Sequence, residues 1–306
     1  MKTTGTSTSS FGVKGRINHD SQKFYSSKLY SELNNPAQTG PSAEDLAENP
    51  IEDQYINTVI EGCATQMKEL PDNSIHLMIT SPPYNVQKEY DNDLSLSEYL
   101  LLLENTFREV YRVLVWGGRA CINVANLGRK PYLPLASFVN NIMNELGFLM
   151  RGEIIWNKGS SAGTSTAWGS WQSAANPVLR DVHEYILIFS KGDYKRNKKN
   201  GINTIEKKEF MEWTKSVWNM SAERAKRVGH PAPFPVELPL RLIHLLSFQD
   251  DIILDPFMGS GTTGIAAIET HRKFVGYEIN SEYVSLARQR LHPYLVQPEL
   301  HLPEHP

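Results

Sequence analysis

From Tyr55 to Leu291 the chain alternates between short apolar runs and longer stretches whose apolar positions recur three and four residues apart. The runs "YINTVIEG", "SIHLMIT", "GGRACINVA", "RGEIIWNK", "HEYILIFSK", "DIILD" and "KFVGYE" predict strands. "ATQMKEL", "LSLSEYLLLLENTFREVYRVL", "YLPLASFVNNIMNEL", "VELPLRLIHLLS", "GTTGIAAIETH" and "SEYVSLARQRL" predict helices. The longest carries Ser95 and Glu98 at capping-box spacing, and Gly147 stops the next one. Strands alternating with helices predict an α/β fold: a doubly wound, mostly parallel sheet covered by helices on both faces.

The pattern also sets the organisation. Residues 1–50 read as a polar N-terminal arm, disordered in part or docked on the body or on a nucleic acid. Residues 51–292 read as one domain, and 293–306 as a C-terminal tail. Within the domain, "GSSAGTSTAWGSWQSAANPVL" is a long loop with Trp168 and Trp171, of a length that is usually functional or mobile. Residues 191–230 are the least regular part and read as an insertion that holds a basic run. Lys195, Arg196, Lys198 and Lys199, with Lys207 and Lys208 beyond, are its candidates for phosphate contacts. A solvated loop is the competing reading of such a charge run.

Composition adds limits. The 306 residues are 40% hydrophobic and 21% charged, which supports a sizeable core. The net charge of −3 gives no global sign of nucleic-acid binding, so any DNA contact needs a local basic face. Cys63 and Cys121 form no CxxC pair and no ligand spacing with histidine, so no metal site is expected; both read as reduced thiols in or near the core of a cytoplasmic protein. No apolar run reaches the ~20 residues of a membrane span.

Two stretches carry chemistry. "TSPPYN", Thr80 to Asn85, directly follows an apolar run, and its prolines have no N–H with which to continue a helix or a ladder. Its carbonyls are left for a ligand. "ILDPFMGSGTTGIAAIE" places Gly259, Gly261 and Gly264 at GxGxxG spacing between a strand and a helix. Glu278 lies on the next strand, near the ~20-residue interval at which an acid meets ribose hydroxyls. A nicotinamide or flavin site fits less well. Only one strand remains after the loop, and Asp255 at its head suits a cationic ligand better than a pyrophosphate.

Together, "SPPY" at 81–84 and "DPFMGSGTT" at 255–263 resemble the two signature motifs of the DNA amino-methyltransferases, which use S-adenosylmethionine. Their order resembles the β-class of that family, of restriction–modification type, and the resemblance runs from about Tyr55 to Leu291. It implies a Rossmann-like methyltransferase fold with permuted motifs. It assigns Ser81, Pro82, Pro83 and Tyr84 to catalysis. It assigns Asp255, Pro256, Phe257, Gly259, Ser260, Gly261, Thr262 and Glu278 to the cofactor. Cys63 stands where the family often has an acid near the adenine amine, and His76 where another acid is usual; His76 is given no role.

The resemblance implies transfer of a methyl group to an exocyclic amine of a base flipped out of double-stranded DNA. Serine at the head of the motif resembles the N4-cytosine branch, with N6-adenine as the alternative. Enzymes acting on protein glutamine or RNA, and a non-catalytic DNA-binding protein that keeps the fold, are remoter readings. The carbon-5 cytosine enzymes need a Pro-Cys pair that this chain lacks. The restriction–modification resemblance implies a cognate restriction endonuclease, acting separately, as a partner.

Overall fold

The structure is a computed structural model, and it describes residues 28, 46–84, 94–128, 130–159, 169–198, 200–223 and 234–296. The N-terminal arm apart from Lys28 and residues 46–50, Asn85, Trp168, Lys199 and the tail beyond 296 lie outside them. Residues 42–306 form one compact unit.

Its centre is an eight-stranded sheet. In chain order the strands are β1 (Thr58–Glu61), β2 (Ile75–Thr80), β3 (Leu114–Val124), β6 (Phe148–Asn157), β7 (His183–Lys191), β8 (Val217–Asn219), β9 (Ile252–Asp255) and β10 (Lys273–Glu278). A two-stranded hairpin, β4 (Leu127–Gly128) and β5 (Tyr132–Leu133), follows β3. The spatial order is β1-β10-β9-β2-β3-β7-β6-β8. Pairings from β1 to β3 are parallel, β3–β7 and β7–β6 are antiparallel, and β6–β8 is parallel again. The expected parallel sheet thus carries an antiparallel strand. β6 and β7 join as a hairpin through the Gly/Ser/Thr-rich loop, and a hairpin can only pair antiparallel.

Period-two alternation sorts the strand residues between two cores. Met78, Leu254, Val275 and Tyr277 face one cluster, which includes Tyr99, Leu103, Phe107 and Val110 of α1 (Leu96–Val113) and Val139 and Met143 of α2 (Leu135–Glu145). Leu77, Ile79, Ile253 and Phe274 face the other. There they meet Leu242 of α4 (Glu237–Leu246), Ala266 of α5 (Thr262–Glu269) and Ala287 of α6 (Ser281–Val296). α1 begins with the expected capping box: Ser95 accepts from the Glu98 N–H at 3.3 Å, and Glu98 accepts from the Ser95 N–H at 2.8 Å.

Three local readings change. "ATQMKEL" is a run of turns, not a helix. Arg112 of α1 donates to the carbonyls of Met67 and Leu70, both at 2.9 Å, and Glu109 accepts the Met67 N–H at 2.8 Å. Backbone groups that a helix would use internally are held by α1 instead. Conversely, α3 (Lys207–Trp213) and β8 lie in the stretch read as irregular. Of the cysteines, Cys121 is buried and Cys63 is exposed.

Candidate active site

The C-terminal ends of the parallel strands form one edge of the sheet, where doubly wound folds bind ligands. Thr80 ends β2 and leads into Ser81; Asp255 ends β9 and leads into the glycine loop; Glu278 ends β10. Because β2 and β9 are neighbours, the two motifs meet despite their separation in the chain. A cavity of about 500 Å³ opens there. Ser81, Pro82, Pro83 and Tyr84 line it together with Pro256, Phe257, Gly259 and Glu278. Leu94, Leu101 and Leu102, at the start of α1, supply an apolar wall. The volume falls within the usual range for small-molecule sites.

Within the tetrapeptide, the Tyr99 hydroxyl donates to the Pro83 carbonyl at 2.7 Å, tying the loop to α1. The Pro82 carbonyl has no donor among the described residues. The Tyr84 hydroxyl accepts from the Ala125 N–H at 3.2 Å and donates to Glu184 at 3.4 Å. Burial, with the Glu184 charge second, pushes the Tyr84 phenol well above its ordinary range.

On the opposite wall, Glu278 accepts from the Gly259 and Asn280 N–H groups, both at 2.9 Å. Each carboxylate oxygen thus keeps a lone pair for a ligand hydroxyl. Burial raises the Glu278 pKa, and the backbone donors oppose that.

The structure separates the other residues expected to touch a cofactor. Asp255 does not line the cavity. It is 1% exposed, and its carboxylate accepts from the Thr80 and Thr263 hydroxyls, each at 2.6 Å, and from the Phe257 N–H at 3.1 Å. Burial raises its pKa to about 6. Its direct contact with a cationic ligand is replaced by an internal task, holding the two motifs together. Gly261 and Ser260 also stay off the cavity wall. Gly261 has φ of 84°, and a Cβ there would meet Ala287 and Leu291 at 3.3 Å, so it shapes the turn against α6. Ser260 is buried and offers its carbonyl to Arg290. Thr262 lines a second cavity of about 250 Å³ on the far side of the loop.

The basic insertion also reads differently. Arg196 is buried and makes two bonds to Asp251, at 2.5 and 3.0 Å, and Lys198 donates to the same carboxylate at 2.9 Å. Asp251 precedes β9, at the opposite end of the sheet from Asp255, about 13 Å away at ~3.3 Å per strand residue. Arg196 and Lys198 therefore neutralise a buried acid at that far end of the sheet, which takes Arg196 out of the expected phosphate contacts. Lys195 is exposed at that same far edge, and Lys207 and Lys208 are exposed on α3. His76, also at this end, accepts the Ile252 N–H at 2.8 Å, a structural part.

Sequence reading missed Glu184, Asn123 and Lys158, which come from β7, β3 and the end of β6 to stand behind Tyr84. Only their place at the sheet edge distinguishes them. Thr80 and Thr263 were inside the recognised motifs, and nothing in their spacing shows that they share one acid.

The DNA methylase family pattern of N6/N4 methyltransferases matches residues 75–289. The type II methyltransferase M.MjaI of Methanocaldococcus jannaschii is 31% identical over 274 residues, covering 76% of this chain and 90% of that protein. TTHA0409 of Thermus thermophilus, described as a DNA modification methylase, superposes with a TM-score of 0.64 at 30% identity, covering 81% of this chain and 97% of that one. It has also been solved in complex with S-adenosyl-L-methionine. The cytosine-N4-specific PvuII DNA methyltransferase shares the fold, with a TM-score of 0.61 at 22% identity over 76% of this chain and 85% of its own. With the family pattern spanning both motifs and the cavity between them, the chain belongs to the N6/N4 DNA methylase family.

Proposed function

We propose that this DNA methylase transfers a methyl group from S-adenosylmethionine to the exocyclic N4 amine of a cytosine flipped out of duplex DNA. The observation that carries the reading is the shared cavity, with Ser81 and the Pro82 carbonyl on one wall and Gly259 and Glu278 on the other. When bound, the cofactor supplies an electrophilic methyl on its sulfonium. Glu278 is suited to ribose hydroxyls, and Gly259 lets the backbone come close to the ligand.

The protein's work at the base is positional. The amine's lone pair is delocalised into the ring. Acceptors at both N–H bonds, the Ser81 hydroxyl oxygen and the Pro82 carbonyl, draw the nitrogen toward a tetrahedral shape and free that pair for in-line attack. The Tyr84 ring offers a stacking face, offsetting part of the few kcal/mol that flipping costs. Ser81 is no strong base, so the released proton goes to water.

Cytosine is favoured because the acceptor is a neutral hydroxyl. A hydroxyl accepts a weaker bond than a carboxylate, and the smaller ring seats deeper against Tyr84. DNA approaches from the edge that carries the cavity. The β4–β5 hairpin with exposed Lys130 and the β6–β7 loop with exposed Trp171 and Leu179 stand at that edge.

Methylated DNA hydrolysed to nucleosides and resolved by mass spectrometry against both standards tests the base. N4-methylcytosine is expected. N6-methyladenine as the sole product overturns the base assignment and leaves the site standing. Ser81→Ala tests the site: cofactor binding persists and turnover falls by roughly 2–4 kcal/mol of transition-state stabilisation.

A further inference from the structure

β6 and β7 leave the sheet beside the catalytic tetrapeptide. Their ladder ends at the Asn157–His183 pair, and the Lys158 N–H donates to the Val182 carbonyl at 2.8 Å just beyond it. The next residue in, Glu184, accepts from the Tyr84 hydroxyl at 3.4 Å. The connection above folds back on itself. Gly169 and Pro177 form an antiparallel bridge, and the Ser170 N–H donates to the Asn176 carbonyl at 2.9 Å. Gly169 is at φ of 73°, and a Cβ there would collide with the Asn176 carbonyl, so the two legs of the turn close tightly. Within this held turn stands Trp171, 74% exposed, followed by Gln172 in the left-handed region at φ of 48°. Pro177 is five residues from Val182, so the turn stands at most about 18 Å from the end of the ladder. A duplex groove is of the same scale, about 12 Å wide, so one DNA segment can meet both Tyr84 and Trp171.

The charge of the connection fits the same approach. From Gly159 to Arg180 the sequence holds no acid, in a chain with 34 of them, and its one base, Arg180, is exposed. Nothing in the stretch repels phosphates. A single exposed ring is ordinary on a protein surface; one presented on a closed, acid-free turn beside the catalytic loop is placed for a stacking partner. Rotation of a nucleotide out of a duplex creates that partner. It leaves a gap between two base pairs and an unpaired base opposite, and their π-faces go into water unless something fills the space. Apolar side chains inserted between base steps do this in other DNA-binding proteins. We propose that Trp171 is the wedge of this enzyme: its indole enters the gap, stacks on the bases around it, and keeps the target base from returning while that base lies in the cavity. The inference rests on the reading that the target base is flipped. It divides the cost of flipping between two rings, Tyr84 on the base that leaves and Trp171 on the stack left behind.

The test uses the full chain, S-adenosylmethionine and a duplex carrying the site found by mapping methylated bases in the DNA of expressing cells. Trp171→Ala is expected to lower the methylation rate on this duplex about 5- to 150-fold, the worth of stacking one base on an aromatic ring. A pyrene nucleotide opposite the target base fills the gap from the DNA side and holds the base out. On that duplex the variant should regain the wild-type rate, which a variant with a merely damaged loop would not do. An unchanged rate for Trp171→Ala, or a loss that pyrene leaves in place, overturns the proposal. So does a pyrene-rescued loss that appears in Leu179→Ala instead, since Leu179 is 83% exposed on the same connection but lies outside the bridged turn. Fluorescence of 2-aminopurine at the target position separates the wedge from the reading beneath it. If wild type gives no rise on binding, flipping itself fails. If wild type gives a rise and Trp171→Ala matches it in both fluorescence and rate, only the wedge fails.

Discussion

The Thr80 hydroxyl donates to the Asp255 carboxylate across 2.6 Å, joining two strand ends that lie 175 residues apart in the chain. One residue further on, Ser81 enters the cavity on one wall; one further on from Asp255, Pro256 enters it on the other. The spacing between catalytic loop and glycine loop is therefore set by this bond and by the β2–β9 pairing, while Thr263 holds the same carboxylate from within the glycine loop. Thr80→Val removes one of three donors from a buried carboxylate. It is expected to destabilise the fold by about 1–3 kcal/mol and to lower kcat more than cofactor affinity, since Ser81 is the nearer neighbour. Denaturant unfolding and steady-state kinetics on the same preparation check both.

The acid itself makes stability depend on pH. Burial holds the Asp255 pKa near 6, above its ordinary 3.8, so the folded state binds the proton more tightly than the unfolded chain. Its contribution is fullest below 3.8, declines as pH rises, and is lost above about 6. The decline amounts to about 3 kcal/mol. Asp255→Asn abolishes that titration. The difference in unfolding free energy between wild type and variant should shift against the wild type from pH 4 to pH 7, and a pH-independent difference would show that the carboxylate is not titrating there.

Two glycines of the loop should separate in experiment. Gly261 sits at φ of 84° facing α6. Gly261→Ala is expected to cost about 1–2 kcal/mol of stability from the left-handed backbone. Gly259 is also left-handed, at φ of 52°, so Gly259→Val should cost stability too, but it places a side chain at the cavity wall and should in addition weaken S-adenosylmethionine binding, as should Glu278→Ala, which removes the acceptor that shapes the Gly259 turn. Calorimetric titration and thermal unfolding, run on all three, distinguish a defective turn from a damaged ligand wall.

DNA affinity should respond at the cavity edge and not under the sheet. Lys130→Glu is expected to weaken duplex binding and to reduce the slope of log K against log salt by ~0.9 for each phosphate no longer neutralised. Lys198→Gln should leave both unchanged while lowering stability, because Asp251 loses one of its cationic partners. A salt slope altered by Lys198→Gln would restore the insertion as a DNA face.

The architecture was legible because strands and helices bury one face each, and residues such as Leu77 and Met78 declare their faces by period alone. The catalytic and glycine motifs were legible because proline and glycine constrain the backbone directly. What stayed hidden depends on pairing across the sheet. Arg196 and Lys198 look in sequence like a solvated basic run, and only the return of Asp251 beneath them makes them interior. Asp255 resembles a ligand contact until Thr80 arrives from the neighbouring strand and Thr263 turns back from the end of the same motif. Glu184 has no local signature, since its partners come from β3, β6 and the catalytic loop. The turns at 64–70 follow helical composition but yield to Arg112.

The adjacency of β2 and β9 has a consequence for biosynthesis. β2 cannot acquire its inner neighbour until the ribosome has added the residues that separate Thr80 from Asp255. At ~5–20 residues per second that is a wait of roughly 10–35 s. During that interval β2 can pair with β3, and the β3–β7–β6 ladder can form, while one edge of β2 has unpaired backbone groups open to other chains. The methyl-transfer cavity cannot exist on the nascent chain before its last third emerges. Slow synthesis or crowded expression should then favour association of half-made chains through that edge, and earlier release of the glycine-loop segment, as in a circular permutant that begins ahead of β9, should relieve it.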